Sequence, residues 1–118
     1  MGYEIEISCP LANASNMKRN IIAKALRCKC EYHYDQYELE GRRKQIYRMH
    51  YIMSFVFPED CISLQAFIRY IKTLQGVYIE CITSDSGSFE ILYASSKYLS
   101  LMDKTKAREY RAKIKSQS

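Results

Sequence analysis

The sequence has no tryptophan, only four glycines and two prolines, and no apolar run long enough to span a membrane. A spanning helix needs about 18 consecutive apolar residues, whereas the longest apolar stretch, around residues 51–57, has the length of a strand. Hydrophobic residues make up 47% of the 118 and charged residues 26%. This composition excludes a disordered, collagen-like or low-complexity chain. We expect one globular domain with no membrane partner, in the cytoplasm or nucleus.

The cysteines do not form a spaced framework. There are five of them, and Cys28 and Cys30 form a single C-x-C pair without a second pair at the spacing of a zinc site. Cys9 and Cys81 lie in apolar strand patterns, where a thiol behaves as a small buried hydrophobe. The pattern predicts reduced structural cysteines, and no cofactor is expected from them.

Hydrophobic periodicity predicts eight elements in the order β-α-β-β-α-β-β-α. Alternating residues predict strands at 3–9, 31–39 and 46–57, with a bulge at Asp35–Gln36. The apolar, β-branched segment 77–83 and the short segment 89–94, separated by a turn at 84–87, predict a hairpin of two further strands. Apolar residues spaced by three or four predict a helix after Asn13 or Ser15, a second after Ser63 that stops at Gly76, and a third after Ser95 or Ser96.

This order predicts an α+β, ferredoxin-like architecture. Two helices that cross between antiparallel strands place both helices on one face of the sheet, with the first and third strands adjacent at its centre. We expect residues 1–96 to form the single α+β domain and residues 97–118 to form a basic C-terminal helix or arm.

The excess positive charge is confined to the C-terminal segment. Residues 1–96 contain 11 basic and 11 acidic residues, whereas residues 97–118 contain seven basic and two acidic residues. The basic residues of that segment are Lys97, Lys104, Lys106, Arg108, Arg111, Lys113 and Lys115. A neutral body with a basic arm is typical of nucleic-acid binders, because phosphate contacts supply most of their non-specific affinity. A solvated helix with no binding role has the same pattern.

A second basic cluster lies at the tip of the predicted central hairpin. Arg42, Arg43 and Lys44 follow Gly41 in a predicted turn, and exposed loop tips often carry binding residues. Eleven tyrosines can fill the core and its edges, or form a stacking surface for single-stranded nucleic acid. Glu4 and Glu6 on the first strand would repel phosphates from the sheet face.

The layout also resembles the endonuclease domain of rolling-circle replication initiators, the Rep proteins of small circular DNA viruses and plasmids. The residues that carry the resemblance are His50-Tyr51-Ile52 on a central strand and Tyr93-Ala94-Ser95-Ser96-Lys97 further along the chain. The resemblance implies His50 and Glu38 (or Glu40) as ligands of Mg²⁺ or Mn²⁺, with Tyr93 as nucleophile and Lys97 beside it. Ile52 stands where that family has its second histidine, so the active site is degenerate.

Three functions are therefore open at this point. The first is a small non-enzymatic module that binds DNA or RNA through Arg42, Arg43, Lys44 and the basic helix. The second is a structural protein that docks on another chain, or on a second copy, through a sheet edge and the Tyr110 and Ile114 side chains. The third is a Rep-like, metal-dependent nickase of single-stranded DNA.

Overall fold

The computed structural model describes residues 2–10, 14–27, 30–40 and 46–117, with side chains for these stretches except 14–18, 36–40 and 46–50. Five strands and four helices are formed in this part of the chain. In chain order they are β1 (Tyr3–Pro10), α1 (Ala14–Leu26), β2 (Glu31–Glu40), β3 (Ile46–Phe57), α2 (Leu64–Thr73), β4 (Cys81–Asp85), β5 (Phe89–Ala94), α3 (Ser96–Leu101) and α4 (Lys104–Gln117).

The strands form one open antiparallel sheet in the order β2-β3-β1-β4-β5. The first strand pairs along its whole length with the third, from Tyr3 opposite Phe57 to Pro10 opposite His50, and the sequence predicts that these two strands are adjacent. β4 pairs with the other side of β1, and β5 pairs with β4. The α+β class and the antiparallel sheet are therefore confirmed.

Alternation along the strands places the main core on one face of the sheet. Ile5 and Ile7 of β1 are fully buried, as are Met53, Phe55 and Phe57 of β3. Two helices cover this face. They contribute the buried side chains Ile21, Ala25, Phe67, Ile68 and Ile71 to the same cluster. The apolar residues whose spacing predicts the second helix, among them Phe67, Ile68 and Ile71, therefore pack against the sheet.

The other face of the sheet carries a second, smaller cluster. Cys81 belongs to it, whereas the next residue along β4, Ile82, belongs to the main core. Successive strand residues point to opposite faces, so α3 and α4 pack on the face opposite α1 and α2. The cluster packs Cys81 with Tyr98 and Leu99 of α3, with Met102 between the two helices, and with Ala107 of α4.

The predicted strand at 77–83 is wrong at its start. Val77 and Tyr78 are exposed by 67% and 43%, and β4 begins only at Cys81. The amides of Val77, Tyr78 and Ile79 all donate to the carbonyl of Leu74. This compact turn, which contains Gly76 at a φ of 79°, uses the hydrogen-bonding groups that a strand would need.

The predicted single C-terminal helix is two helices. Met102 adopts extended backbone angles, and the Asp103 carboxylate accepts hydrogen bonds from the amides of Thr105 at 3.1 Å and Lys106 at 3.3 Å. An aspartate that bonds to the next amides starts a new helix instead of continuing the old one. The predicted capping of α3 is confirmed, because the Ser95 hydroxyl accepts from the amide of Tyr98 at 3.0 Å.

Two smaller local predictions are also corrected. The pairing of β2 with β3 continues without interruption through Asp35 and Gln36, and its irregularity lies between Leu39 and Glu40. Ser63 occupies the N-cap position of α2, but its side chain makes no capping hydrogen bond.

The described cysteines are free thiols, and Cys9, Cys30 and Cys81 are buried, as expected of small core residues. Cys28 lies outside the described residues. Among the helices of the described part of the chain, none is long and apolar enough to cross a membrane.

Candidate functional site

The C-terminal helix α4 is held on the sheet by one side. Ala107 is fully buried, and the Tyr110 ring meets the Phe89 ring of β5 edge to face, with centroids 6.3 Å apart. At its far end the Gln117 side chain accepts from the amide of Ile91 at 2.9 Å and donates to the carbonyl of Ile91 at 2.8 Å. The helix is therefore attached over its whole length, and its other sides face solvent.

Four basic residues of α4 share one of those solvent-facing sides. Lys104, Arg108, Arg111 and Lys115 are spaced by four, three and four residues, the spacing that aligns side chains on one side of a helix. All four side chains are exposed. With a rise of about 1.5 Å per residue, the row is about 16 Å long. We call these four residues the basic stripe.

The other two basic residues of α4 lie on a different side of the helix. Lys106 and Lys113 are seven residues apart, so they share a side that differs from that of the basic stripe. The Lys106 ammonium lies 5.9 Å from the centre of the Tyr110 ring, and it interacts electrostatically with Glu6 of β1. Lys106 therefore interacts within the chain, whereas the four side chains of the basic stripe are exposed on another side of the helix.

The neighbouring surface of the sheet is acidic. Glu4 lies directly opposite Asp85 across the β1–β4 pair, and both line a shallow cavity with Glu6, Thr83 and Phe89. Burial, followed by the Glu4 carboxylate, raises the pKa of Glu6, while a hydrogen bond from Ser54 and the charge of Lys106 lower it. The carboxylates of Glu4, Glu6 and Asp85 make this part of the sheet electrostatically unfavourable for a phosphate.

Cys81 lies beneath this region and is buried. Burial, followed by the charge of Glu6, raises the pKa of the Cys81 thiol to about 12. The thiolate is the nucleophilic and metal-binding form of cysteine. Cys81 is therefore a packing residue of the second cluster.

The structure does not bring the residues implied by the Rep resemblance together. Tyr93 of β5 pairs with Ile82 of β4, whereas His50 of β3 pairs with Pro10 of β1. β5 and β3 are three strand spacings apart, about 14 Å. The Tyr93 ring packs against the main core, and a Cβ atom added at Gly76 would lie 3.3 Å from its hydroxyl.

The remaining predicted residues are placed only in part. Lys97 is exposed on α3. Glu38 lies opposite Met49, one position out of register with His50, and the side chains of both Glu38 and His50 lie outside the described residues. Arg42, Arg43 and Lys44 lie outside them entirely. In the described part of the chain no group of three or more His, Cys, Asp or Glu side chains is arranged to hold a metal ion.

Sequence reasoning left open whether the tyrosines lie in the core or form a surface, and the two tyrosine side chains of β2 that the structure describes, Tyr32 and Tyr34, differ in this respect. Tyr32 stacks on Phe55 with centroids 5.1 Å apart, and its buried hydroxyl has no hydrogen-bond partner among the described residues. Burial is the main cause that raises the pKa of Tyr32 to about 12. Tyr34 stacks between Tyr32 and Tyr51 and is 57% exposed.

Comparison of the chain with models of known protein families, with curated proteins and with solved structures found no match. The geometry of α4 and of the sheet is therefore the basis for assigning a function.

Proposed function

We propose that this protein is a non-enzymatic nucleic-acid-binding module whose contact surface is the basic stripe of α4. The observation that carries the proposal is that one side of α4 is attached to the sheet while its basic residues are exposed on another side. Ala107, Tyr110 and Gln117 attach the helix to the sheet, while Lys104, Arg108, Arg111 and Lys115 all remain exposed along another side.

The order of the strands supports a finer proposal about the fold. Without β5, the order β2-β3-β1-β4 is that of a ferredoxin-like sheet, and the two crossover helices lie on one face. We propose a ferredoxin-like domain with β5 added at one edge. In this arrangement the added strand is the one on which α4 rests, through Phe89 and Ile91.

The size and composition of the basic stripe favour contacts to phosphates over readout of bases. A row about 16 Å long spans about five phosphates of one strand, at about 3.4 Å each along the duplex axis. Arginine binds phosphate oxygens with two parallel hydrogen bonds, and lysine acts as a point charge. Such contacts position a protein on nucleic acid without reading sequence. We therefore expect binding that depends little on sequence.

Salt dependence tests the proposal directly. Four phosphate contacts contribute a slope of about −3.6 to a plot of log affinity against log salt for duplex DNA, and about −2.8 for a single strand. The measurement is fluorescence anisotropy with labelled single- and double-stranded oligonucleotides between about 50 and 200 mM salt. The test variant combines Lys104→Gln, Arg108→Gln, Arg111→Gln and Lys115→Gln, and we expect it to lose affinity and slope together.

A matched variant separates this surface from net charge. Arg19→Gln, Arg27→Gln, Arg69→Gln and Lys72→Gln remove the same charge from exposed positions in or beside α1 and α2. We expect this control to keep most of the affinity and the slope. If both quadruple variants lose the same affinity, or if the unmodified protein binds no oligonucleotide at low salt, the proposal is wrong.

The same oligonucleotides test the nickase alternative. If the protein cleaves the single strand, and if cleavage requires manganese and disappears with Tyr93→Phe, the protein is a nuclease and the proposal of a non-enzymatic module is wrong. Binding without cleavage, at equal affinity with and without manganese, is the outcome we expect, since β5 and β3 hold Tyr93 and His50 on separate strands.

A further inference from the structure

The two outer edges of the sheet differ in what lies beside them. At β5, the Gln117 side chain bonds to both the amide and the carbonyl of Ile91, which occupies main-chain groups that another chain could otherwise use. At β2, no further strand pairs on the outer side among the described residues. An edge strand of ten residues offers donors and acceptors to which another strand can add.

The side chains of β2 are arranged differently on its two faces. On the core face, Tyr34 stacks on Tyr51 at 5.4 Å and on Tyr32 at 6.0 Å, yet more than half of its surface is exposed. On the opposite face, His33 and Asp35 flank the position of Tyr34 and are both exposed. On that opposite face, a side chain that can donate a hydrogen bond therefore precedes Tyr34 in the sequence, and a side chain that accepts one follows it.

We propose that β2 pairs in antiparallel register with β2 of a second copy of this chain, with Tyr34 directly opposite Tyr34 of the second copy. A two-fold axis perpendicular to the sheet passes between the two residues. The five strands of each copy then form one continuous sheet. This proposal concerns the edge of the sheet far from α4 and does not depend on nucleic-acid binding.

Complementarity and the length of the overlap select this register. A register centred on Tyr32 also places His33 opposite a carboxylate, that of Glu31, but it pairs only residues 31–33 of β2, whereas the register centred on Tyr34 pairs residues 31–37. In the register centred on Tyr34, His33 lies opposite Asp35 of the second copy, and the pair occurs twice because of the symmetry. An imidazole N–H donates to a carboxylate, and opposite partners across a strand pair stabilise it. A register centred on Asp35 places two carboxylates opposite each other, and one centred on His33 places Glu31 opposite Asp35. Both are unfavourable.

Site-specific cross-linking tests the register. In an antiparallel pair, directly opposite Cα atoms are about 4.5–5.5 Å apart, within the range of a disulfide. We expect Tyr34→Cys to form a covalent dimer on mild oxidation. The matched control is His33→Cys, whose two copies would be more than about 7 Å apart, because they are offset by two residues along the strand. The unmodified protein, with its native cysteines, gives the background.

A charge exchange tests the energetics without a new covalent bond. His33→Asp places a carboxylate opposite Asp35 twice, and Asp35→His places two imidazoles opposite each other. We expect each single variant to weaken dimerisation in sedimentation velocity by about tenfold, and the double variant to restore it. His33→Asp lies on an exposed surface of β2, so circular dichroism should show an unchanged fold.

Three results would overturn the proposal. They are a monomer at every concentration of the unmodified protein, equal cross-linking of the two cysteine variants, and a double variant that is as weak as its single parents. The quadruple Gln variant of the basic stripe should dimerise normally, so a failure of nucleic-acid binding and a failure of dimerisation are distinguishable.

Discussion

The side-chain amide of Gln117 pairs with the main chain of Ile91 in the way that a neighbouring strand would. Its oxygen accepts from the Ile91 amide at 2.9 Å, and its nitrogen donates to the Ile91 carbonyl at 2.8 Å. One residue near the end of α4 therefore attaches the helix and occupies part of the β5 edge. This double contact fixes the end of α4 on β5, and so it also fixes where the basic stripe lies relative to the sheet.

Gln117→Ala should lower the free energy of unfolding by about 1–2 kcal/mol, because two hydrogen bonds worth about 1 kcal/mol each are lost. Urea denaturation of the variant and the unmodified protein measures this difference. Gln65→Ala, at an exposed position of α2, is the control and should change stability by less than about 0.5 kcal/mol. Equal effects at the two positions would show that the contact with Ile91 contributes nothing specific.

Asp103→Ala should destabilise the protein by about 1 kcal/mol, since the carboxylate accepts from the first amides of α4 and caps that helix. Asp103→Asn keeps an oxygen acceptor at the same place and should retain most of the stability. Thermal unfolding followed by circular dichroism measures both variants. The interpretation fails if Asn and Ala have the same effect.

Stability should depend on pH through Glu6. The pKa of Glu6 is raised above its ordinary value of 4.5, chiefly by burial, so the folded protein binds the extra proton. The stabilisation that comes from protonated Glu6 is fully present below the ordinary pKa of 4.5, and it is lost as the pH rises through the raised pKa of the folded state. Glu6→Gln should therefore flatten the fall in stability that occurs as the pH rises above the ordinary value of 4.5. The effect is small because the side chain also contacts solvent.

Chemical denaturation over a series of pH values measures this effect, and Glu90→Gln, which changes an exposed carboxyl on β5, is the control. If Glu6→Gln follows the same pH profile as the unmodified protein, burial of Glu6 is not the cause of that fall.

Cys81 should resist alkylation in the folded protein. Its thiol is buried, and burial raises its pKa to about 12, so almost no thiolate is present at about pH 8. Mass spectrometry after brief treatment with iodoacetamide should find Cys81 unmodified, and modified only after denaturation. Cys61, which is partly exposed, is the internal comparison. Rapid labelling of Cys81 before Cys61 would contradict the packing of α3 and α4 on this face.

Periodicity predicted the elements of the main core well, because burial of one face imposes a regular pattern on the sequence. β3 and β5 have the predicted bounds, and Ile21, Ile71 and Phe55 are buried as the spacing requires. Periodicity did not predict the bounds of elements that are set by local hydrogen bonds. Val77 and Tyr78 have strand-forming side chains, but their backbone amides donate to the carbonyl of Leu74. Asp103 caps a new helix in the middle of a segment whose sequence pattern is continuously helical.

The candidate site was predictable in composition but not in arrangement. The seven basic residues of the C-terminal segment are evident from the sequence, and so is the repulsion expected from Glu4 and Glu6. The distinction between the basic stripe and Lys106 depends on which side of α4 meets the sheet, a tertiary property. The signal for it was present in the spacing of Ala107, Tyr110 and Ile114, which marks the attached side.

The contact between Gln117 and Ile91 also has a consequence for biosynthesis. The two residues are 26 positions apart, and translation proceeds at about 5–20 residues per second, so the end of α4 is made about 1–5 s after β5. During that interval the β5 edge of the nascent chain lacks the side chain that later occupies it. Slow translation of the α4 segment would lengthen the period in which this strand can pair with a wrong chain.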